Sequence, residues 1–188
     1  MAMWLSRYIQ SVIALALSLT VLAGCATTPN MGYTSNAPRQ ANKNVSIWLK
    51  SFTDGRSAAE KGILGGVYNG YNMRMGDVTE PANTIESIKK SFESELDRAG
   101  YNIVMSEQDL VATAEVVSVT CDARLKSESL IRVRIKLQDK GNEVLDKVYT
   151  GRADAFVIVG FATSQALNAS IKKIATELVK DLDEYIKS

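Results

Sequence analysis

The chain has 188 residues, with 22 basic and 21 acidic side chains and no histidine. A charge this close to balance does nothing to recruit nucleic acid or another polyanion in bulk. The missing histidine removes Ser-His-Asp and Cys-His catalysis and the commonest zinc ligand, and the length suits one domain with a proper core.

The N-terminus reads as a targeting segment. Arg7 supplies a basic start, and Ile9 to Ala23 is apolar apart from Gln10, Ser11, Ser18 and Thr20. The run is short and ends at small residues, the layout of a secretory signal; the alternative is a signal anchor retained as a short membrane helix. Leu22-Ala23-Gly24-Cys25 resembles the lipobox of bacterial lipoprotein precursors. That resemblance implies cleavage between Gly24 and Cys25, a diacylglycerol thioether on Cys25 and an acyl chain on its new amino group. Beyond that covalent lipid no cofactor is expected. Ala26 at the following position, where retained inner-membrane lipoproteins carry Asp, favours the outer membrane, with the domain facing the periplasm. Loss of residues 1–24 leaves 21 basic against 21 acidic side chains. With Cys25 lipidated, Cys121 has no intrachain partner, which excludes a disulfide framework. It reads as a small buried residue on a strand, or else as the site of an interchain disulfide.

Residues 25–44 carry Pro29, Pro38 and many Asn and Thr without apolar periodicity, and so read as a flexible tether. Fully extended, the stretch would reach roughly 60 Å. A domain at 45–188 follows. Val45, Ile47 and Leu49 alternate with Ser46, Trp48 and Lys50, the period of a half-buried strand, and Thr53-Asp54-Gly55-Arg56 closes it as a turn. Gly62, Gly65, Gly66, Gly70 and Gly76, interleaved with Tyr68, Tyr71, Met73 and Met75, lack phosphate-loop spacing and read as a mobile loop whose aromatic and Met content suits a contact surface.

Ile85, Ile88, Phe92, Leu96 and Ala99 then mark one face of a helix, with Asn83 and Glu86 as a capping box and Gly100 as its stop. Strands are expected at Tyr101–Met105, Leu110–Thr120, Ser129–Leu137 and Glu143–Arg152. A hairpin turn at Asp139-Lys140-Gly141-Asn142 joins the last two. Leu167, Ile171, Ile174, Leu178, Leu182 and Tyr185 form the stripe of a final helix capped at Thr163. The whole predicts an α+β fold: an antiparallel or mixed sheet of four to five strands with two helices packed on one face, in the order β-α-β-β-β-β-α.

Two stretches are candidate surfaces. Arg132, Arg134 and Lys136 form a basic row opposite Ile131, Val133 and Ile135; it is either the solvated side of a sheet or a face for phosphate, lipid headgroups or glycan. Ala153 to Ala162 is unusually apolar. It either continues a strand into the core or offers Phe156, Val157, Ile158 and Phe161 to a partner subunit, buried only in an oligomer.

The lipobox, Asp54-Gly55-Arg56, Leu96-Asp97-Arg98-Ala99-Gly100-Tyr101, Asp109-Leu110, Lys147-Val148-Tyr149-Thr150-Gly151 and Ala166-Leu167-Asn168 together resemble the YajG-type outer-membrane lipoproteins. The PelC-type envelope lipoproteins are a looser likeness. The first resemblance implies outer-membrane attachment and an uncharacterised role; the second implies ring assemblies that guide polysaccharide export. Cys121 has no evident activating neighbour. Carboxylate-only glycosidase chemistry survives the composition, but so small a domain implies no long cleft. The expectation is a noncatalytic accessory or scaffold subunit of an envelope assembly, as a homo-oligomer or with other proteins. A periplasmic glycan or small-ligand binder is the alternative; no metal and no nucleic acid are expected.

Overall fold

A computed structural model describes residues 26–106, 109–156 and 161–187. Gly24, Cys25, Val157 and Ile158, singled out above, lie outside the described residues. The strands are β1 Ser46–Asp54, β2 Ile63–Tyr68, β3 Arg74–Thr79, β4 Asn102–Val104, β5 Leu110–Ala123, β6 Ser127–Asp139 and β7 Asn142–Ala155. The helices are α1 Thr84–Arg98 and α2 Phe161–Lys187. All seven strands belong to one mixed sheet, and both helices pack on one of its faces and on each other.

β5 organises the sheet. One of its edges pairs with β6 in antiparallel register from Leu110↔Asp139 to Ala123↔Ser127, and β7 continues beyond β6. Its other edge forks. The first half takes β1 in parallel, with β4 outside it; the far end takes β2 at Val67↔Ala123, with β3 outside that. Alternation places Ile131, Val133, Ile135 and Leu137 under the helices, each essentially inaccessible to water. Cys121 is buried on the same face, as a small core residue. A bulge between Leu49 and Ser51 shifts the phase of β1, which turns Phe52 inward to meet Phe92 of α1 edge-on, with ring centroids 5.6 Å apart.

Local chemistry sets the ends. At Lys140 and Gly141 φ is +49° and +83°, the two positive values that a two-residue hairpin of matching twist requires. α1 stops in a Schellman turn: Tyr101 N–H reaches Leu96 O at 3.1 Å and Gly100 N–H reaches Asp97 O at 2.9 Å. Gly100 has φ +90°, and a Cβ there would also stand 2.2 Å from Ala41 O. The Asn83–Glu86 capping box does not form, because Asn83 makes no side-chain cap bond. Thr163 is not a cap either; it lies buried inside the first turn of α2.

Two expectations change. The glycine-rich stretch is not a loop but the β2–β3 hairpin, which adds strands to the expected mixed α+β sheet with two helices on one face and brings it to seven. Glycine is needed where β2 crowds β5: a Cβ on Gly65 would stand 2.3 Å from Cys121 O. The stretch read as a tether is laid along the domain from Thr27 onward. Thr27 pairs with the outer edge of β3, donating to Asp77 O at 3.0 Å and accepting from Thr79 N–H at 2.9 Å. Asn30 and Gly32 N–H groups then reach Ser164 and Asn168 of α2, at 2.9 and 2.8 Å. Tyr33 and Ser35 N–H groups reach Ser91 and Ser94 of α1, at 3.0 and 2.8 Å. Met31 is buried beneath this strap. Few apolar residues are needed, since hydroxyls and amides on the helices satisfy the strap backbone.

α2 buries Leu167, Ile171, Ile174, Leu178 and Leu182 against the sheet. Its backbone comes close to β7 at Gly151, where a Cβ would stand 2.1 Å from Ser170 O. Beside that contact the Ser129 and Ser170 hydroxyls pair at 2.7 Å. Gly151→Ala is expected to push α2 off the sheet and to destabilise the domain by about 1–3 kcal/mol; a lower urea midpoint with an unchanged slope is the reading that checks it.

Candidate functional site

The sheet face away from the helices carries the basic row. Arg132, Arg134 and Lys136 do stand together on the solvent side of β6. Arg134 is bound in bidentate fashion by Asp146 of β7, at 2.7 and 2.6 Å. Lys136 lies 3.4 Å from Asp146 and 3.7 Å from Glu143. The Arg134 hydrogen bond holds the Asp146 carboxyl down to about 2. The groove beside the row is small, about 200 Å³, and is lined by Thr113, Glu115 and Ser51 among others. Two of the three cations are therefore neutralised across the strands.

A larger open cleft of about 950 Å³ lies at the far end of β5, bounded by Leu64, Thr120, Glu128, Arg152, Asp154 and Lys173. Its polar groups are mostly partnered. Lys126 bridges Glu128 at 3.0 Å and Asp154 at 3.3 Å, and Lys173 donates to Arg152 O at 2.7 Å. Asp122 accepts from Gly66 N–H at 2.9 Å.

The charged cluster around Arg56 grows from Asp54-Gly55-Arg56, which the sequence offers both as a turn and as one motif of its resemblance to YajG-type lipoproteins. Arg56, with its side chain 1% exposed, follows β1 and binds Asp54 through Nε at 2.8 Å and Nη2 at 2.9 Å. Nη2 also reaches Glu80 Oε1 at 2.5 Å, which ties the end of β1 to the approach to α1. Glu80 Oε2 accepts from Gly62 N–H at 2.9 Å. Hydrogen bonding to Arg56 lowers the Asp54 pKa. Burial works against the Arg56 charge, but its bonds to Asp54 and Glu80 outweigh that and its pKa is raised. The signal for this cluster was the Asp54-Gly55-Arg56 motif, whereas Glu80 had no local signal.

Nucleophilic chemistry finds little to work with. Burial, with Asp122 adding to it, pushes the Cys121 thiol up to about 12, so no thiolate forms near neutrality. Among the described residues no three of Cys, Asp and Glu gather as a metal-ligand set, and no helix is long and apolar enough to cross a membrane. Phe156 and Phe161 are 69% and 64% exposed, while Ala153 and Ala162 are buried. The apolar stretch thus begins as strand and turns its aromatics outward.

No protein-family model matches the sequence, and no curated protein sequence matches it. Among solved structures, the chain is similar to a Xanthomonas campestris protein of the DUF330 family, with a TM-score of 0.53 and 14% identity over 82% of this chain and 92% of that one. PelC from Paraburkholderia phytofirmans, solved as a dodecamer, has a TM-score of 0.39 and 17% identity over 79% of this chain and 95% of its own. A minor lipoprotein of Acinetobacter baumannii has a TM-score of 0.37 and 12% identity over 71% and 90%. At these identities the first likeness shows a shared fold and leaves the chemistry to the residues themselves.

Arg56→Ala would leave Glu80, whose side chain is 9% exposed, without its cation. The expected cost is about 3 kcal/mol, measured by urea unfolding. Acid should weaken the domain through several carboxylates. Asp54 and Asp146 are held low by arginine hydrogen bonds. For Asp181 and Asp183 burial pulls upward, but bonds from Lys147 and Tyr149, and from Lys43 and Tyr101, prevail. Depressed folded pKa values give stability that is complete above the unfolded carboxylate value, about 3.9, and is lost as pH falls below it. The urea midpoint is expected to be flat from pH 7 to about 5 and to drop below about 4.

Proposed function

We propose that the chain is a noncatalytic lipoprotein, anchored through Cys25 to the outer membrane and facing the periplasm, where it serves as an accessory or scaffold subunit of an envelope assembly. The observation that carries this reading is Leu22-Ala23-Gly24-Cys25-Ala26 at the end of a short apolar run. The motifs from Asp54-Gly55-Arg56 to Ala166-Leu167-Asn168 support a YajG-type lipoprotein in particular. The domain behind the anchor adds binding surface rather than reactive groups: a sealed thiol, paired carboxylates and no histidine. Only a thiolate makes a stable thioether at the lipobox, so the anchor depends on one side chain. The glycan reading is less well supported, since Asp146 already occupies Arg134 and Lys136.

Cys25→Ser is expected to abolish lipid attachment and to shift the protein out of the outer-membrane fraction; mass spectrometry of the extracted wild-type chain should show diacylglycerol and an N-acyl chain on Cys25. A membrane-retained wild-type chain with an unmodified Cys25 would overturn the anchor. Crosslinking in intact envelopes is expected to capture a second copy or an envelope protein. A strict monomer with no crosslinked partner would overturn the scaffold role.

A further inference from the structure

Three exposed apolar features meet at one end of the molecule. The turn between β2 and β3 shows Tyr71 at 87% exposure and Met73 at 56%. The β5–β6 turn shows Leu125 at 85%, and Phe156 follows the end of β7 at 69%. The sheet register puts these in one place, because Ala155 at the end of β7 pairs with Ser127 just after the β5–β6 turn. That turn is fastened to the β2–β3 tip. Arg124 donates to Asn72 Oδ1 at 2.7 Å, and its guanidinium lies 4.3 Å from the centre of the Tyr68 ring. α2 runs back along β7, so Phe161 at its start joins the same end.

The chain enters the domain beside this patch. Thr27 pairs with Val78 in parallel, so Ala26 stands on the side of that bridge nearer Met75 and Met73. Cys25 is two residues from Thr27, a span of at most about 7 Å. That short span ties Cys25 to the outer edge of β3, the strand that leads back to the β2–β3 tip. Nearby charges are mixed, with Arg74 on Asp77 at 2.6 Å and Lys126 between Glu128 and Asp154. Attraction to the patch is thus apolar rather than electrostatic.

We infer that this end is a bilayer-docking face: Tyr71, Met73, Leu125 and Phe156 seat in the headgroup and upper acyl region while the lipid on Cys25 holds them there. The inference rests on the anchor reading for its orientation. The physical rationale is that acyl chains on one residue hold the chain to the bilayer without fixing the angle of the domain, while apolar side chains entering the interface add burial and fix that angle. Aromatic side chains at the headgroup level suit that role.

The test uses full-length protein extracted from membranes and reconstituted into vesicles of phosphatidylethanolamine and phosphatidylglycerol with brominated acyl chains, in a Trp4→Phe, Trp48→Phe background. Tyr71→Trp reports on the docking end and Gln138→Trp on the opposite end, near the β6–β7 turn. Quenching of the Tyr71→Trp emission is expected to be several-fold stronger than that of Gln138→Trp. It should fall when Met73, Leu125 and Phe156 are changed to Ser, and barely change with salt. Equal or absent quenching at the two positions would overturn the docking face. Mass spectrometry of the same sample decides the anchor separately. Preferential quenching with an unmodified Cys25 would keep the face and discard the lipid, whereas a lipidated chain without preferential quenching would keep the lipid and discard the face.

Discussion

The close contact of α2 with β7 at Gly151 governs the architecture. It lets a 27-residue helix lie along the long antiparallel strands and bury its aliphatic stripe in one layer. Most of the apolar burial is then concentrated on one face of the sheet, and the other face is largely solvated. Arg134 and Asp146 belong to that solvated face, where a cross-strand pair compensates charge without desolvating it. The same contact sets the direction of α2. Its start lies at the end of the sheet where β7 finishes and its C-terminal half lies over the other end, where Tyr149 and Lys147 reach Asp181 and Tyr185 reaches Asp139.

Elements with a clear period were legible. The alternation in β6, the stripes of α1 and α2 and the Lys140-Gly141 turn each follow from one local rule, and the structure has them at almost the expected residues. The β2–β3 hairpin was hidden because Gly65 and Gly66 stand where alternating side chains would have announced a strand; close approach to Cys121 and Tyr68 took those side chains away. The strap was hidden for the opposite reason. Its order comes from backbone N–H groups meeting Ser91, Ser94, Ser164 and Asn168, partners that no local pattern discloses. The Arg56 cluster needed Glu80, which is 24 residues away. Leu125 carries no sequence pattern of its own; only the register, with Ser127 against Ala155, brings its turn next to the end of β7.

For function, the fold turns composition into geometry. The one described thiol is buried, and Asp54, Asp146, Asp181 and Asp183 are engaged by arginine, lysine or tyrosine. What remains distinctive is placement: charge balanced on the open sheet face, and apolar side chains gathered at one end.

The strap also imposes an order of events on folding. Its partners lie far along the chain: Asn30 bonds to Ser164 and Lys43 to Asp183, separations of 134 and 140 residues. Closing so long a loop is entropically slow, and the final helix must exist before the strap has anything to grip. In a chain delivered N-terminus first, the strap would be the first part of the domain to emerge and among the last to settle. The strap therefore stays open to solvent and to other molecules through the earlier folding steps, and closes only when the final helix has docked.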